Sequence, residues 1–418
     1  MTAKPLLDAE GRLRLSDAPP VLTLLAAGDL CPTNRLEALL AAGDVRAAFG
    51  GCLDLFARAD LTVVNLEAPL CPAASPIPKC GPNFRADPAV AGALKAAGVD
   101  VCCLANNHIL DQGPAGLEAT LAVLDRAGLR HLGAGRTAQA AAAPLVLEAG
   151  GLKLELLNLA EAEFARSTGG AGAAGLDPAA NCRAVAESAA RADAVIACLH
   201  GGCEQVLFPS PAMQRRCREL VDAGAAAVVC HHPHVPQGLE IHRGRPIAYS
   251  LGNFLFDWPE PEPETDSAFL LELGFHKAGV AELAVHPFRK GRSGGAEALA
   301  GAERAAYVRF LNGLSAPLGD ASRMAALWDG QCRALWETRY RARLGRVAEL
   351  ESADAEARQA ARLSVYNLFQ CEAHGEALAR ALELLAVGPP ACDRPARKRL
   401  AALMAQLRAF ATEGSGLR

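Results

Sequence analysis

The chain has 418 residues, of which 51% are hydrophobic and 21% charged, with a formal net charge of -4. At ~150 residues per domain this length allows two or three units, and the composition excludes wholesale disorder. No block dense in Lys and Arg supplies the footprint of a polyphosphate-binding surface, so nucleic acid is not an expected partner.

In chain order, the first ten residues reach Asp8 and Glu10 before any long apolar segment, which is not the order of a signal peptide. No later run is long and apolar enough for a membrane span, so the expected compartment is the cytoplasm, without a membrane anchor. Strands are predicted at residues 22–27, 61–65, 99–104, 145–147, 152–158, 194–199, 226–230 and 247–250. Several lack strict alternation, as strands covered on both faces do. Helices are predicted at 35–48, 88–97, 115–127, 181–190 and 211–223. Residues 266–273 and 279–287 read as a hairpin. A basic, Gly-rich stretch at 289–295 reads as a linker or long surface loop. Beyond it, 302–314, 321–350, 354–369, 372–385 and 396–412 carry helical periodicity. The expectation is an α/β layered region over 1–290 and a helical C-terminal extension over 291–418.

The predicted strands end in polar clusters. Asp29 follows the first, Asn65 and Glu67 stand at the end of the second, and Asn106, Asn107 and His108 follow the third. A lone Asp in such a place is either a turn or cap residue or a working group; three polar ends in succession favour a site. His200 precedes Gly201 and Gly202, a pair that leaves room for close approach. His231, His232 and His234 are three of the ten His in the chain, and Pro233 between the last two stiffens the backbone. Pooled, Asp29, Glu67, Asn107, His200, His232 and His234 form a mixed oxygen and nitrogen donor set, unlike the Cys/His pairs of a zinc finger. Such a set suits Mn, Fe or Zn, and a carboxylate able to bridge suits two divalent ions.

Six segments, 25–29, 64–70, 105–113, 199–204, 231–237 and 249–256, resemble in order the CapA (poly-γ-glutamate capsule synthesis) family, whose domain has the calcineurin-like metallophosphoesterase fold. The resemblance covers about 22–256 and implies a layered β-sandwich flanked by helices. It implies that Asp29 and His234 hold one metal, that Glu67 bridges, and that Asn107, His200 and His232 hold the second. His108 would then orient or protonate a reacting group, and Asp111 would hold either His108 or a helix start. Two departures stand out: Cys31 where ordinary metallophosphoesterases have His, and Glu67 where they have Asp. Cys31 is either a thiolate ligand or a buried structural thiol.

The implied function is a metal-dependent hydrolase or transferase acting on a phosphoester or γ-glutamyl-type substrate, linked to poly-γ-glutamate or cell-envelope biosynthesis. Its substrate would be an anionic small molecule or polyglutamate-like. The alternatives are a non-catalytic accessory or binding protein, and a metal-dependent phosphodiesterase or nuclease.

Around this centre, 71–84 reads as a Pro-rich loop over the site, with Lys79 and Arg85 either meeting an anionic substrate or simply solvated. Residues 158–175, with Glu161, Glu163 and Arg166, read as a second rim. Glu204 and Gln237 are candidates to orient imidazoles or contact substrate, and Asn253 to fix a turn. The fourteen Cys, several of them inside apolar runs, read as reduced core thiols; Cys71 and Cys80 would pair only in an oxidising compartment. In the extension, Leu327, Trp328, Leu335, Trp336, Tyr340, Leu344 and Val347 share a helical face that either packs on its own domain or anchors a homodimer or protein partner.

Overall fold

The computed structural model describes residues 5–258, 262–388 and 393–412. Its centre is a pair of sheets, and the way the strand residues divide explains the weak alternation in the sequence. Leu22, Leu24 and Ala26 face a core shared with the second sheet, while Leu25, Ala27 and Leu30 of the same strand face the helices. Val63 against Val64, and Val101 against Cys102, divide in the same way. Both faces are therefore apolar, which erases the period of two that a half-exposed strand would show.

The larger sheet runs, edge to edge, Arg12–Arg14, Gly279–Lys290, Ser267–His276, Leu22–Cys31, Leu61–Leu66, Val101–Cys103 and Arg130–Leu132; Asn253–Phe256 also pairs with Leu22–Cys31, and Ala296–Ala298 with Gly279–Lys290. The smaller runs Leu239–His242, Arg245–Ala248, Ala227–His231, Ala194–His200, Leu152–Ala160 and Leu145–Ala149. Helices Asn34–Ala41, Val90–Ala97 and Gly113–Ala127 cover the outer face of the first sheet, and Pro178–Ala189 and Pro211–Asp222 pack on the second. The expected layered α/β sandwich is what the chain forms.

Parallel pairing aligns the working ends. Asp29 lies beside Asn65 across Leu22–Cys31 and Leu61–Leu66, and His200 beside His231 across Ala194–His200 and Ala227–His231. Asn253 pairs with Asp29, and this strand approaches so closely that a Cβ on Gly28 would sit 1.9 Å from the Gly252 carbonyl oxygen. Only glycine lets the two strand ends meet there.

Several boundaries differ from those predicted. The 35–48 helix is two helices, because Gly43 turns at φ +73° and the Asp44 carboxylate accepts from the Ala47 N–H to start Val45–Phe49. The 289–295 stretch is not a linker: Arg289 and Lys290 end a strand that turns back to pair with Ala296–Ala298. The 321–350 segment is helical to Leu335, passes through a π turn at Trp336–Tyr340, and frays into Arg341–Gly345 and a last 3-10 turn.

The extension packs back on the sandwich. Helix Gly301–Ser315 buries Tyr307, Phe310, Leu311 and Leu314 in the main core, joined by Leu407 and Phe410 of the last helix. At roughly 1.5–3 kcal/mol per buried side chain, this packing outweighs the exposed Arg304–Glu10 pair, worth about 0–1 kcal/mol. A satellite core gathers Trp328, Leu335, Tyr340, Leu368, Cys371 and Leu378 around Cys203 and Val206 of the α/β region. Most of the aromatic face predicted as a dimer anchor is thus covered by the chain itself; among the described residues of the extension the exposed large apolar side chains are Val347, Tyr366, Phe369, Leu382, Leu385 and Val387. Among the described residues no helix is long and apolar enough to cross a membrane.

Candidate metal centre

Each donor is carried by a strand end or by the turn just after it. Asp29 is on Leu22–Cys31, Glu67 one residue past Leu61–Leu66, His200 at the end of its strand, and Asn107 in the loop after Val101–Cys103. His232 and His234 follow Ala227–His231 with φ of +97° and +59°, so Pro233 sits between two residues in a backbone region that non-glycine residues rarely adopt. Such conformations cost about 1–3 kcal/mol each and persist where the surroundings hold them. Here they turn both imidazoles to the centre.

All six predicted donors converge. Asp29 Oδ2 lies 3.4 Å from His234 Nδ1, and Asp29 Oδ1 4.0 Å from His200 Nδ1. Glu67 Oε1 is 3.5 Å from His200 Nε2 and 3.9 Å from His234 Nε2. His200 Nε2 is 3.0 Å from Asn107 Oδ1 and 3.1 Å from His232 Nδ1. Two triads have donor atoms within 4.8 Å of one another, Asp29/Glu67/His200 and Glu67/His232/His234, and Glu67 is common to both.

Glu67 decides whether this donor set fits cations. It is fully buried, and neither carboxylate oxygen has a hydrogen-bond partner among the described residues. A buried carboxylate without partners is costly, and divalent ions at its two oxygens would supply what hydrogen bonds do not. The donor set fits divalent cations held against Glu67.

The electrostatics without cations are those of a frustrated cluster. Burial and the neighbouring Asp29 push Glu67 well above its ordinary range. Burial alone would raise Asp29 too, but the His234 contact and the surrounding imidazoles hold it well below the usual carboxylate range. Burial works against a charged His234, yet Glu67 and Asp29 drive it up to about 10. His232 is pushed down to about 4 by burial, with His234 adding to the effect, and His200 falls well below its ordinary value by burial and the nearby His232. One imidazolium thus stands in for positive charge among acids, and metal binding has to displace its proton.

His108 sits beside the donors with its Nδ1 2.6 Å from Asp111 Oδ2. Asp111 also accepts from the Phe84 N–H at 2.6 Å and from Lys79 Nζ at 2.6 Å. Asp111 therefore holds His108 and the Pro-rich loop together, in addition to standing near a helix start. Lys79 is not a rim cation: its side chain is 2% exposed. Arg85 ties the same loop by donating to the Cys71 carbonyl. Burial, then Lys79, lowers the His108 pKa, leaving a neutral imidazole at neutral pH. Phe84 packs on His108 at 4.4 Å between ring centroids, and Phe256 and Trp258 continue the wall to His234.

Cys31 does not join the donors. It is buried against Ala68 and Phe256, and burial raises its thiol well above the ordinary value. Cys71 and Cys80 are free thiols. Gln237 donates to the Val206 carbonyl, and Glu204 pairs with Arg339 at 2.9 Å. The room beside Gly201 is taken by Glu161, whose Oε2 accepts from the Gly202 N–H.

The family described as bacterial capsule synthesis protein PGA_cap matches residues 23–258, more than half of the chain and every donor above. The chain belongs to this family. It is 31% identical to the capsule biosynthesis protein CapA of Bacillus anthracis over 202 residues, 47% of this chain and 49% of that protein. It is 30% identical to the PGA biosynthesis protein CapA of Bacillus subtilis over 198 residues, 46% and 52% of the two. A probable polyglutamine synthesis accessory protein of Mycobacterium tuberculosis is 31% identical over 216 residues, 48% and 56%. The chain spans about half the length of the curated relatives it matches. A solved structure of a hypothetical protein from Thermus thermophilus has a TM-score of 0.42 and 18% identity, covering 64% of this chain and 99% of that one.

In this PGA_cap chain, three asparagines outside the predicted donor set position the donors. Asn253, predicted to fix a turn, opens a strand and accepts from His234 Nδ1 at 2.8 Å. Asn65 donates to Asp29 Oδ1 at 2.8 Å and lies 3.2 Å from His200 Nδ1. Asn106 donates to the Leu66 carbonyl and accepts from the His108 N–H, fixing the loop that carries Asn107. The polar strand-end pattern signals Asn65 and Asn106; nothing local signals the partner of Asn253.

Proposed function

We propose that this protein is a divalent-metal-dependent hydrolase or transferase of phosphoesterase type, acting on a phosphoryl or amide group of an anionic, small or polyglutamate-like substrate in capsule or poly-γ-glutamate synthesis. One observation carries the reading: among the described residues both oxygens of buried Glu67 lack hydrogen-bond partners at the centre of Asp29, Asn107, His200, His232 and His234. These six residues would hold two ions, with Mn, Fe or Zn suited to the donor chemistry. Bound cations would supply Lewis-acid polarisation and offset charge on the transferring group.

The chain's own groups would do the rest. Asp111 fixes His108 through Nδ1, so Nε2 is the ring nitrogen left to meet the substrate. Because burial and Lys79 lower the pKa of His108, its neutral form is suited to orienting or accepting a proton rather than to donating one. The aromatic wall of Phe84, Phe256 and Trp258 would keep water from that side of the site. The test is a screen of phosphomonoesters, phosphodiesters and γ-glutamyl amides with pure, metal-loaded protein. Turnover that disappears together with bound metal in His232→Ala supports the reading, and a protein that binds no metal refutes it.

A second reading, a non-catalytic accessory factor, is favoured by the accessory-protein description of the mycobacterial relative and by the large helical addition. Turnover at ordinary enzymatic rates without any partner would count against it.

A further inference from the structure

We infer a second kind of metal site, a mononuclear zinc site formed by Glu163, Cys371 and His374 where the C-terminal helices meet the sandwich. Cys371 precedes helix Glu372–Val387 and His374 lies in its first turn, while Glu163 comes from the segment after strand Leu152–Ala160. One donor atom from each residue lies within 4.8 Å of the others. Cys371 is 1% exposed and His374 3%.

Glu163 and His374 stand at ligand spacing, while the Cys371 thiol donates to Glu161 Oε2 at 3.7 Å, a bond it would give up as a thiolate ligand. His374 Nε2 stands 4.0 Å from Glu163 Oε1, beyond a hydrogen bond. Zinc bonds of about 2.0–2.3 Å at tetrahedral angles place neighbouring donors about 3.3–3.6 Å apart, so the His374–Glu163 pair would close by a few tenths of an ångström and no pair by more than about 1.5 Å. The other ring nitrogen is already held: His374 Nδ1 is 3.2 Å from the hydroxyl of fully buried Tyr340. A metal-bound imidazole characteristically has its second nitrogen fixed in this way. The halves of the site are also docked independently of any ion, because Glu372 Oε2 accepts from the Ala162 N–H at 2.7 Å.

Thiolate, imidazole and carboxylate together suit zinc, and three protein ligands leave a fourth position open. A cavity of about 10 Å³, room for one water-sized sphere, is lined by Glu161, Glu163 and Cys371 together with Asn107, His200 and His232. Two of the three ligands therefore share a water-sized space with donors of the Glu67 cluster. None of the three ligands has a part in the chemistry proposed above, so the inference stands apart from that reading.

Metal-free full-length protein, kept anaerobic, is titrated with Co(II) as a spectroscopic probe. The expected result is a thiolate-to-cobalt charge-transfer band with the intensity of one cobalt–thiolate bond per chain, absent in Cys371→Ser and retained in Cys31→Ser and in His232→Ala. Retention in His232→Ala separates this site from the Glu67 cluster. His374→Gln, which leaves the thiol in place, is expected to weaken cobalt binding by at least about tenfold. A folded wild type without the band, a band persisting in Cys371→Ser, or unchanged affinity in His374→Gln would overturn the inference. Circular dichroism and elution volume establish that each variant is folded; if Cys371→Ser is not, the wild-type spectrum and His374→Gln decide.

Discussion

Replacing Asp111 by Asn tests the reasoning about the buried cations and acids around His108. Oδ2 accepts from both His108 Nδ1 and the Phe84 N–H, whereas Oδ1 meets Lys79 alone. An Asn that keeps its oxygen in the Oδ2 place satisfies the first two and turns its NH2 group onto the Lys79 ammonium. With the side chains of Lys79 and Asp111 only 2% and 0% exposed, the ammonium is left buried without a counter-charge, keeping the Asn107 carbonyl at 3.3 Å, which costs about 3–5 kcal/mol. Lys79→Met alone should cost a similar amount by leaving the carboxylate short of a partner. The double variant should cost about 2–3 kcal/mol less than the two singles added together, because it removes both charges. Urea denaturation of chelated protein measures all four forms without a contribution from metal binding. Single changes below about 1 kcal/mol, or strict additivity, would refute the account of this pair.

Asn253→Ala should leave the fold in place and weaken metal binding by about 10–100-fold, because His234 loses the acceptor on Nδ1; a metal titration showing unchanged affinity would contradict that role. Burial, with the Gly202 N–H and Arg216 pulling the other way, raises Glu161 to about 7 from an ordinary 4.5. A raised acid contributes stability below its unfolded pKa and loses it as pH climbs through its folded one, so wild type should lose up to about 3 kcal/mol more than Glu161→Gln between pH 4.5 and 7. Parallel stability profiles for the two proteins would show that Glu161 ionises normally.

The parts of this structure legible in the sequence are those in which local pattern and long-range order coincide. Val63, Val64, Val101 and Cys102 form apolar runs that end at Asn65 and at Asn106 and Asn107, and parallel pairing then brings those ends to one edge. The six donors are visible for that reason. Lys79 was not readable as a buried residue, since a Lys in a Pro-rich loop looks solvated until Asp111, 32 positions on, is seen to meet it. Asn253 was hidden because its strand pairs with Asp29, far away in sequence, through the glycine contact at Gly28. His374 falls within a predicted helix and Cys371 in the gap before it, and helical periodicity records which face is apolar and not what the first turn meets. Arg289 and Lys290 misled in the opposite direction, their charge and the following glycines concealing a strand end.

The central claim is that Glu67 bridges two cations among the strand-end donors. Anomalous diffraction from crystals of the protein loaded with Mn(II) tests it most directly. The account predicts two peaks about 3.5–4 Å apart, each within bonding distance of a Glu67 carboxylate oxygen. Peaks that leave Glu67 uncoordinated, or no peak among Asp29, Asn107, His200, His232 and His234, would contradict it.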